Sequence, residues 1–505
     1  MIRACAPALR AALLASAAMA GAVAIASSAS ADEENCDPLA APGLFPETTV
    51  QSATFATADA DTRTPAFCEV TAAVSPVEGS SIGVVYRLPE TWNGKLLGIG
   101  GGGWMGNTRI ESARDGLNRG YATLQTDGGH AAGPVFDTSW AVDADGGANM
   151  VAIEDFSHRA VHVMTDVGKA VSAAYYGEPH RYAYWQGCST GGRQGLMEAQ
   201  RYPGDYDGVI AGAPVYDLLT QTSGFVRNMN FSGAARSLSP GHPELIADAV
   251  HARCDAADGA EDGVIRDPRA CTWDPAELAC EAGDEGDQCL TTDQVDAVRV
   301  AYDGVLTSTG ELAAYPLSRG SEAGWDRFVD TGDDDAASLG MNGLSAALFG
   351  DARFDMAAFD PETDVERART SAMADHYEAT DAQIDAFLAE GGKLILWHGF
   401  YDPGPSPLGT IRYYERVLAE TDPANNAAQA VRLFLAPGVG HCRGGPGPDE
   451  FDALTALEAW IEDGVAPASI DATATDSDLS WPLCPYPALP RGSVDADGAR
   501  TYRCE

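Results

Sequence analysis

Residues 182–195, YAYWQGCSTGGRQG, constrain the fold of this chain more than any other stretch. They read as a short apolar strand, a turn of small residues and the start of a helix. Inside the turn, Gly187 and Gly191 stand two residues either side of Ser189. That spacing suits a sharp strand-to-helix turn. The glycines let helix and strand approach closely, and the serine stands exposed above the carboxyl edge of a sheet. The pattern is short, so its surroundings carry the argument. Strands are predicted at 82–90, 96–100, 121–127, 181–187 and 207–215, bounded by Pro and Gly, with helices at 156–177 and 192–203. Strand and helix alternating in this way define an α/β fold with a mostly parallel sheet.

From 218 to 390 the texture changes. Asp, Ala and Gly dominate, four cysteines appear, and the alternation stops. It resumes at 391–399 (GGKLILWHG) and 431–442 (VRLFLAPGVGHC), and 451–464 reads as an amphipathic helix followed by Gly464. The expected organisation is one α/β core in two parts, 32–217 and 391–505, interrupted by a lid-like insertion at 218–390 and ending in a turn-rich tail that a disulfide could pin. Residues 1–31 stand apart. A basic start, an apolar middle and Ala29-Ser30-Ala31 read as a secretory signal, which implies a secreted or periplasmic protein. Removing the signal takes Cys5 with it and leaves ten cysteines, an even number that reads as a disulfide framework. Spacing alone offers two local pairs, Cys254 with Cys271 and Cys280 with Cys289. The chain carries 74 acidic against 32 basic residues, a net charge of -42. It therefore repels phosphate backbones and anionic lipid, which argues against nucleic acid and membrane surfaces as partners. No later run is long and apolar enough to span a bilayer.

In α/β-hydrolases the catalytic residues follow the chain order Ser, Asp or Glu, His. Asp402 lies just past the strand KLILW, and His441 just past the strand VRLFLAP. Of nine histidines only His441 lies beyond Asp402. Cys188 precedes Ser189, and Cys442 follows His441. If the three residues converge, the two cysteines meet as well, and a disulfide there would hold the imidazole near the hydroxyl. On this reading Ser189 attacks and Cys188 is a staple. A nucleophilic Cys188 would leave Cys442 unpaired in an oxidising compartment.

Together with GGGGWMGN (100–107), TDGGH (126–130), FSHRAVH (156–162), MEAQRYPGDYDGVIAGAP (197–214), LILWHGFYDP (394–403), LFLAPGVGHCRGG (433–445) and PLCPYP (482–487), these residues resemble the tannase/feruloyl esterase family of α/β-hydrolases. That family also includes mono(2-hydroxyethyl) terephthalate hydrolases. Its hallmark is Cys-Ser…Asp…His-Cys, standing here as Cys188-Ser189, Asp402 and His441-Cys442. The resemblance implies an α/β-hydrolase core sheet with a large inserted lid, and hydrolysis of a small-molecule ester of an aromatic acid without an organic cofactor. It implies Ser189 as nucleophile, His441 as general base and then acid, and Asp402 as its orienter. It also implies five disulfides: Cys36 with Cys68, Cys188 with Cys442, Cys254 with Cys271, Cys280 with Cys289, and Cys484 with Cys504. The alternatives are an esterase of terephthalate half-esters or of other aliphatic or polymer-derived esters, and a secreted binding module that kept the fold. An intact triad argues against the last.

The oxyanion hole of such a site uses the backbone N–H of Thr190, the residue after the nucleophile, and a second N–H from the glycine run, at Gly102 or Gly103. No Lys-Ser or Lys-Thr follows that run, which excludes a Walker phosphate loop. Residues 254–271, CDAADGAEDGVIRDPRAC, set Asp255, Asp258 and Asp262 among glycines between two cysteines. Hard oxygens in a tight loop suit calcium, although in so acidic a chain composition alone reads first as a solvated turn. The resemblance implies a structural calcium held by Asp255, Asp258 and Asp262 and the carbonyls of Ala260 and Val264. No His/Cys cluster in the sequence points to zinc. His130, His158 and His162 are open to a catalytic role, but they read first as structural hydrogen-bonding residues beneath the sheet edge. Phe225, Phe231, Trp325 and Phe328 either face an aromatic acyl group or form the lid's own core. Arg227, Arg266, Arg327 and Arg353 are lid arginines to consider for a substrate carboxylate. The sequence leaves the oligomeric state open.

Overall fold

The computed structural model describes residues 33–131, 133–221, 230–231, 235–258, 260–281, 286–329, 348–351, 354, 358–494 and 500–505. The expected signal at 1–31, Phe225, Arg227 and Arg353 lie outside the described residues, as do the side chains of Asp258 and Arg327.

One nine-stranded sheet organises the chain. Its strands are β1 (Thr48–Ala56), β2 (Phe67–Val74), β3 (Ile82–Pro89), β4 (Lys95–Ile99), β5 (Ala122–Thr126), β6 (Tyr182–Cys188), β7 (Gly208–Gly212), β8 (Lys393–Gly399) and β9 (Val431–Ala436). They lie in the order β1-β2-β3-β5-β4-β6-β7-β8-β9. The six strands from β5 to β9 run parallel, and β1, β2 and β3 join antiparallel at the β5 edge. The central strands are apolar and buried on both faces, as parallel strands flanked by helices must be. β1 and β2 are additions to the sequence reading. β1 is a part-exposed edge strand of small and polar residues with a register shift at Val50/Ser52, so it carries little of the apolar signal on which strand prediction rests.

Helices α1 (Ile110–Asn118), α2 (Ala160–Tyr176), α3 (Thr190–Arg201), α4 (His242–Cys254), α5 (Thr292–Asp303), α6 (Pro407–Glu420) and α7 (Ala453–Glu462) accompany the sheet and the insertion. Alternation along each strand builds two cores. Leu96, Trp185, Val209, Leu394 and Leu396 face Met164 and Val171 of α2 and Leu196 of α3. Tyr184, Ile210, Ile395 and Phe434 face Leu454, Leu457 and Trp460 of α7. Each such side chain stabilises the fold by roughly 1.5–3 kcal/mol when fully buried. The helix expected from Phe156 begins earlier. Asn149 caps Met150–Glu154, a π-helical turn spans Asp155–Arg159, and α2 then runs to a left-handed Gly177 at φ 73°.

β7 pairs directly with β8, so the chain leaves the sheet after Gly212 and rejoins it at Lys393. Within that excursion Phe231, Tyr302, Trp325 and Phe328 pack on one another, with Phe231 and Phe328 stacked at 4.5 Å. These aromatics form the insertion's own core. The disulfides are Cys36–Cys68, Cys188–Cys442, Cys254–Cys271, Cys280–Cys289 and Cys484–Cys504.

Candidate active site

Ser189 closes β6 and opens α3 with φ 62° and ψ -122°. A serine held there costs on the order of 1–3 kcal/mol, so the surroundings must enforce it. Its N–H donates to the Gly212 carbonyl at 2.9 Å, and its own carbonyl accepts from Arg193 N–H at 3.0 Å. Glycine is needed on either side. A Cβ at Gly187 would lie 2.4 Å from the Gly191 carbonyl carbon, and one at Gly100 would lie 2.5 Å from Gly191 Cα. The strand end, the helix start and the glycine run are thus in backbone contact.

The two loops that follow β8 and β9 bring Asp402 and His441 to this turn. His441 Nε2 is 2.9 Å from Ser189 Oγ, and His441 Nδ1 is 2.6 Å from Asp402 Oδ2. With Nδ1–H donating to the carboxylate, Nε2 is left to accept the serine proton. The Cys188–Cys442 disulfide, with Cα atoms 6.0 Å apart, ties the serine turn to the histidine loop across 254 residues. Cys442 itself sits at φ 65°.

Asp402 is fully buried and holds more than one histidine. His398 Nε2 lies 3.1 Å from Asp402 Oδ2 and 3.1 Å from the Pro405 carbonyl, while its Nδ1 lies 2.8 Å from Thr410 Oγ1. A nitrogen facing two acceptors carries the proton, so Nε2 donates and Nδ1 accepts from Thr410. Gly404 N–H donates to the other carboxylate oxygen at 2.7 Å. The chain order Ser, Asp, His gives no sign of His398, which precedes Asp402; the pattern His-Gly-Phe-Tyr-Asp is its visible signal. Burial alone would raise the Asp402 carboxyl, but the charge of His441 and the hydrogen bonds from His398 and His441 outweigh it and hold the group well below its ordinary 3.8. A depressed folded-state pKa stabilises the fold fully above the ordinary value and loses that contribution as pH falls below it. Melting temperatures measured from pH 6 to pH 2 should therefore fall more steeply below 3.8 for the wild type than for Asp402→Asn.

Of the two glycines considered for the oxyanion hole, Gly102 already donates its N–H to the Met105 carbonyl at 3.2 Å. Gly103, at φ 59°, has its carbonyl fixed by the Thr190 hydroxyl at 2.6 Å. That contact sets Gly103 beside Thr190. Next to it, Trp104 packs against Trp140, Phe156 and Tyr377, with His130 stacked on Trp140 at 4.5 Å. This aromatic cluster is drawn from both the core and the insertion, and the sequence did not reveal it. His162 Nδ1 contacts Asp205 at 2.7 Å, and His158 Nδ1 contacts the Tyr202 hydroxyl at 2.7 Å. A hollow of about 350 Å³, lined by residues 89–93 and 117–120, opens at the amino ends of β4 and β5, opposite the serine edge.

The acidic loop lies against the two loops that carry Asp402 and His441. Asp255 folds it by accepting from the N–H groups of Asp262 at 3.2 Å and Gly263 at 2.8 Å. Asp262 pairs with Arg266, which is buried against Trp481 and Tyr502 and so is not free to meet a substrate. Ala260 and Val264 are buried, and Ile265 N–H donates to the Tyr401 hydroxyl at 2.8 Å, one residue before Asp402. Val264 also abuts Gly438 in the histidine loop. The donors the loop offers are carboxylate and carbonyl oxygens, which fit calcium and not a softer ion.

A serine on a strained turn at the carboxyl edge of this sheet, with histidine and aspartate delivered by later loops, is the architecture of the α/β-hydrolases. The family model described as tannase and feruloyl esterase matches residues 68–505, and the chain belongs to that family. It is 32% identical to the mono(2-hydroxyethyl) terephthalate hydrolase of Piscinibacter sakaiensis, over 87% of this chain and 85% of that one. It is 33% identical to a protein of Arthroderma benhamiae named "Probable feruloyl esterase", over 84% and 82%. The structure of feruloyl esterase B from Aspergillus oryzae superposes with a TM-score of 0.82 at 25% identity, covering 94% of this chain and all of that one. The chain is accordingly a carboxylic ester hydrolase.

Proposed function

We propose that this enzyme hydrolyses esters of aromatic acids through an acyl-enzyme formed on Ser189. The observation that carries the reading is the continuous relay from Ser189 Oγ to His441 Nε2 at 2.9 Å and from Nδ1 to buried Asp402 at 2.6 Å. Ser189 Oγ attacks the ester carbonyl as His441 takes its proton. The N–H groups of Thr190 and Gly103 stabilise the oxyanion. His441 then protonates the leaving alcohol, and a water activated by the same imidazole releases the acid. The aromatic wall beside Gly103 and the names of the relatives favour an aromatic acyl group. A panel of methyl gallate, methyl ferulate, a terephthalate half-ester and p-nitrophenyl acetate tests this. Turnover confined to the aliphatic acetate would overturn the aromatic assignment, and preference for the half-ester would select the terephthalate branch.

His398 serves as a positioning residue, holding Asp402 for His441. His398→Leu should lower kcat by roughly 10–100-fold with little change in KM, and His398→Gln, which keeps a donor, should recover part of the loss.

The acidic loop holds a structural calcium through Asp255, Asp258, Asp262, Ala260 and Val264. A bound calcium would offset the charge of these carboxylates, and the loop that would hold it meets Tyr401 through Ile265 N–H and Gly438 through Val264. Calcium at a hundredfold excess over its dissociation constant would stabilise the fold by about 2.7 kcal/mol. Chelation should lower the melting temperature and calcium restore it; an unchanged melt with no calcium by metal analysis would leave only an acidic turn. The five disulfides support export, as the signal expected at 1–31 would require, and no helix among the described residues is long and apolar enough to cross a membrane.

A further inference from the structure

The sequence contains no His/Cys spacing typical of zinc, yet the fold assembles a different donor set away from Ser189. Glu154, His158 and His376 place one ligand atom each within 4.8 Å of one another. Glu154 and His158 are four residues apart where the helix Met150–Glu154 passes into the π-helical turn, so they share a face. His376 arrives from the helix Ala372–Tyr377 of the insertion. π-turns inside helices are frequent at functional sites.

We propose that Glu154, His158 and His376 form a site for a divalent transition metal of the zinc class, which clamps the inserted segment to the core. Two orphaned nitrogens carry the inference. His158 is only 7% exposed, and its Nε2 is buried with no partner. His376 Nδ1 is likewise buried without a partner. The two rings lie 5.8 Å apart. Buried polar atoms are nearly always satisfied, and a cation between the imidazoles satisfies both lone pairs at once. His158 already has the outer partner that metal-binding histidines use: its Nδ1 sits 2.7 Å from the Tyr202 hydroxyl, which fixes the ring and directs Nε2 inward. Arg159 Nη1 holds Glu154 Oε1 at 3.0 Å and leaves Oε2 to bind.

Two imidazoles and one carboxylate suit zinc or cobalt rather than calcium or magnesium. Metal bonds of about 2.0–2.1 Å imply ligand separations near 3.3 Å in a tetrahedron. Glu154 and His376 are only half-buried, which leaves their side chains room to turn towards that spacing. The other cluster of similar composition among the described residues, His162, Asp166 and Asp205, has no orphaned imidazole nitrogen: His162 Nδ1 faces Asp205 at 2.7 Å and its Nε2 faces Asp166 at 3.7 Å. Filling the Glu154 site would fix Tyr377, whose ring packs on Trp104 beside Gly103, so the metal would steady one wall of the active site.

Cobalt is the probe. The mature, calcium-saturated enzyme is stripped of transition metals and titrated with Co²⁺ while visible absorption is followed. One equivalent should bind with a nitrogen-ligand spectrum, and Zn²⁺ should displace it. Glu154→Gln and His376→Ala should each weaken binding by at least about a hundredfold, more than loss of an outer partner costs. Circular dichroism confirms that each variant is folded, and His376→Gln replaces His376→Ala should the latter not fold. The proposal fails if the wild type binds no stoichiometric cobalt, or if both variants bind it as tightly. It also fails if the bound ion inhibits ester turnover equally in His376→Ala, since the ion would then sit on His441.

Discussion

Ser189→Ala should reduce ester turnover by a factor of roughly a thousand or more. On the proposed mechanism the Ser189 hydroxyl forms the acyl bond, and its two neighbours in the chain cannot substitute for it. Cys188 is bonded to Cys442, and Thr190 Oγ1 is committed to the Gly103 carbonyl. What survives reflects oxyanion stabilisation and binding alone. A fluorophosphonate probe should label Ser189 in the wild type and nothing in the variant, whose melting temperature should stay close to that of the parent. Labelling at another residue, or turnover within tenfold of the wild type, would reassign the nucleophile.

Asp402→Asn should also cost heavily, about ten-thousandfold in kcat by analogy with other serine triads, and this structure gives a specific reason. Three donors converge on this one side chain: His441 Nδ1–H, His398 Nε2–H and Gly404 N–H. A carboxylate accepts all three. An amide can offer its oxygen to one side only and must turn an NH₂ towards a donor on the other. The simplest relief is for His441 to shift its proton to Nε2, and it then presents a hydrogen to Ser189 where a base is needed. KM for p-nitrophenyl acetate should change little, because Asp402 is buried beneath the imidazole and does not meet substrate. A kcat within tenfold of the wild type would show that Asp402 neither orients nor charges His441.

Much of this was legible in the sequence, and for physical reasons. The serine turn depends on glycines whose replacement would force backbone atoms together, so Gly187 and Gly191 announce it. Asp402 and His441 follow strands apolar enough to read directly. His398 was not legible as a partner of Asp402, because its role depends on how the Asp402–Pro405 turn folds back towards Thr410. The proposed preference for Gly103 over Gly102 rests on the hydrogen bond that Gly102 N–H already makes to the Met105 carbonyl, which the sequence does not display. The aromatic wall is assembled from Trp104, Trp140, Phe156 and Tyr377, spread over more than 270 positions of sequence. No local periodicity can reveal a cluster made only by topology.

The direct pairing of β7 with β8 bears on how the chain acquires its structure. The middle of the sheet cannot be completed until roughly 180 residues of intervening chain have been accommodated, and such remote pairings are slow to form. The excursion, however, carries two short-range crosslinks, spanning 17 and 9 residues, and an aromatic nucleus of its own. A segment that condenses early on local contacts shortens the effective loop between the two strands and lowers the entropy of closing it. The order of assembly implied is insertion first and sheet second, with the Cys188–Cys442 bond last, because its two halves become neighbours only once β6 to β9 are aligned. On the proposed mechanism, the relay from Ser189 to His441 would then be completed late in assembly.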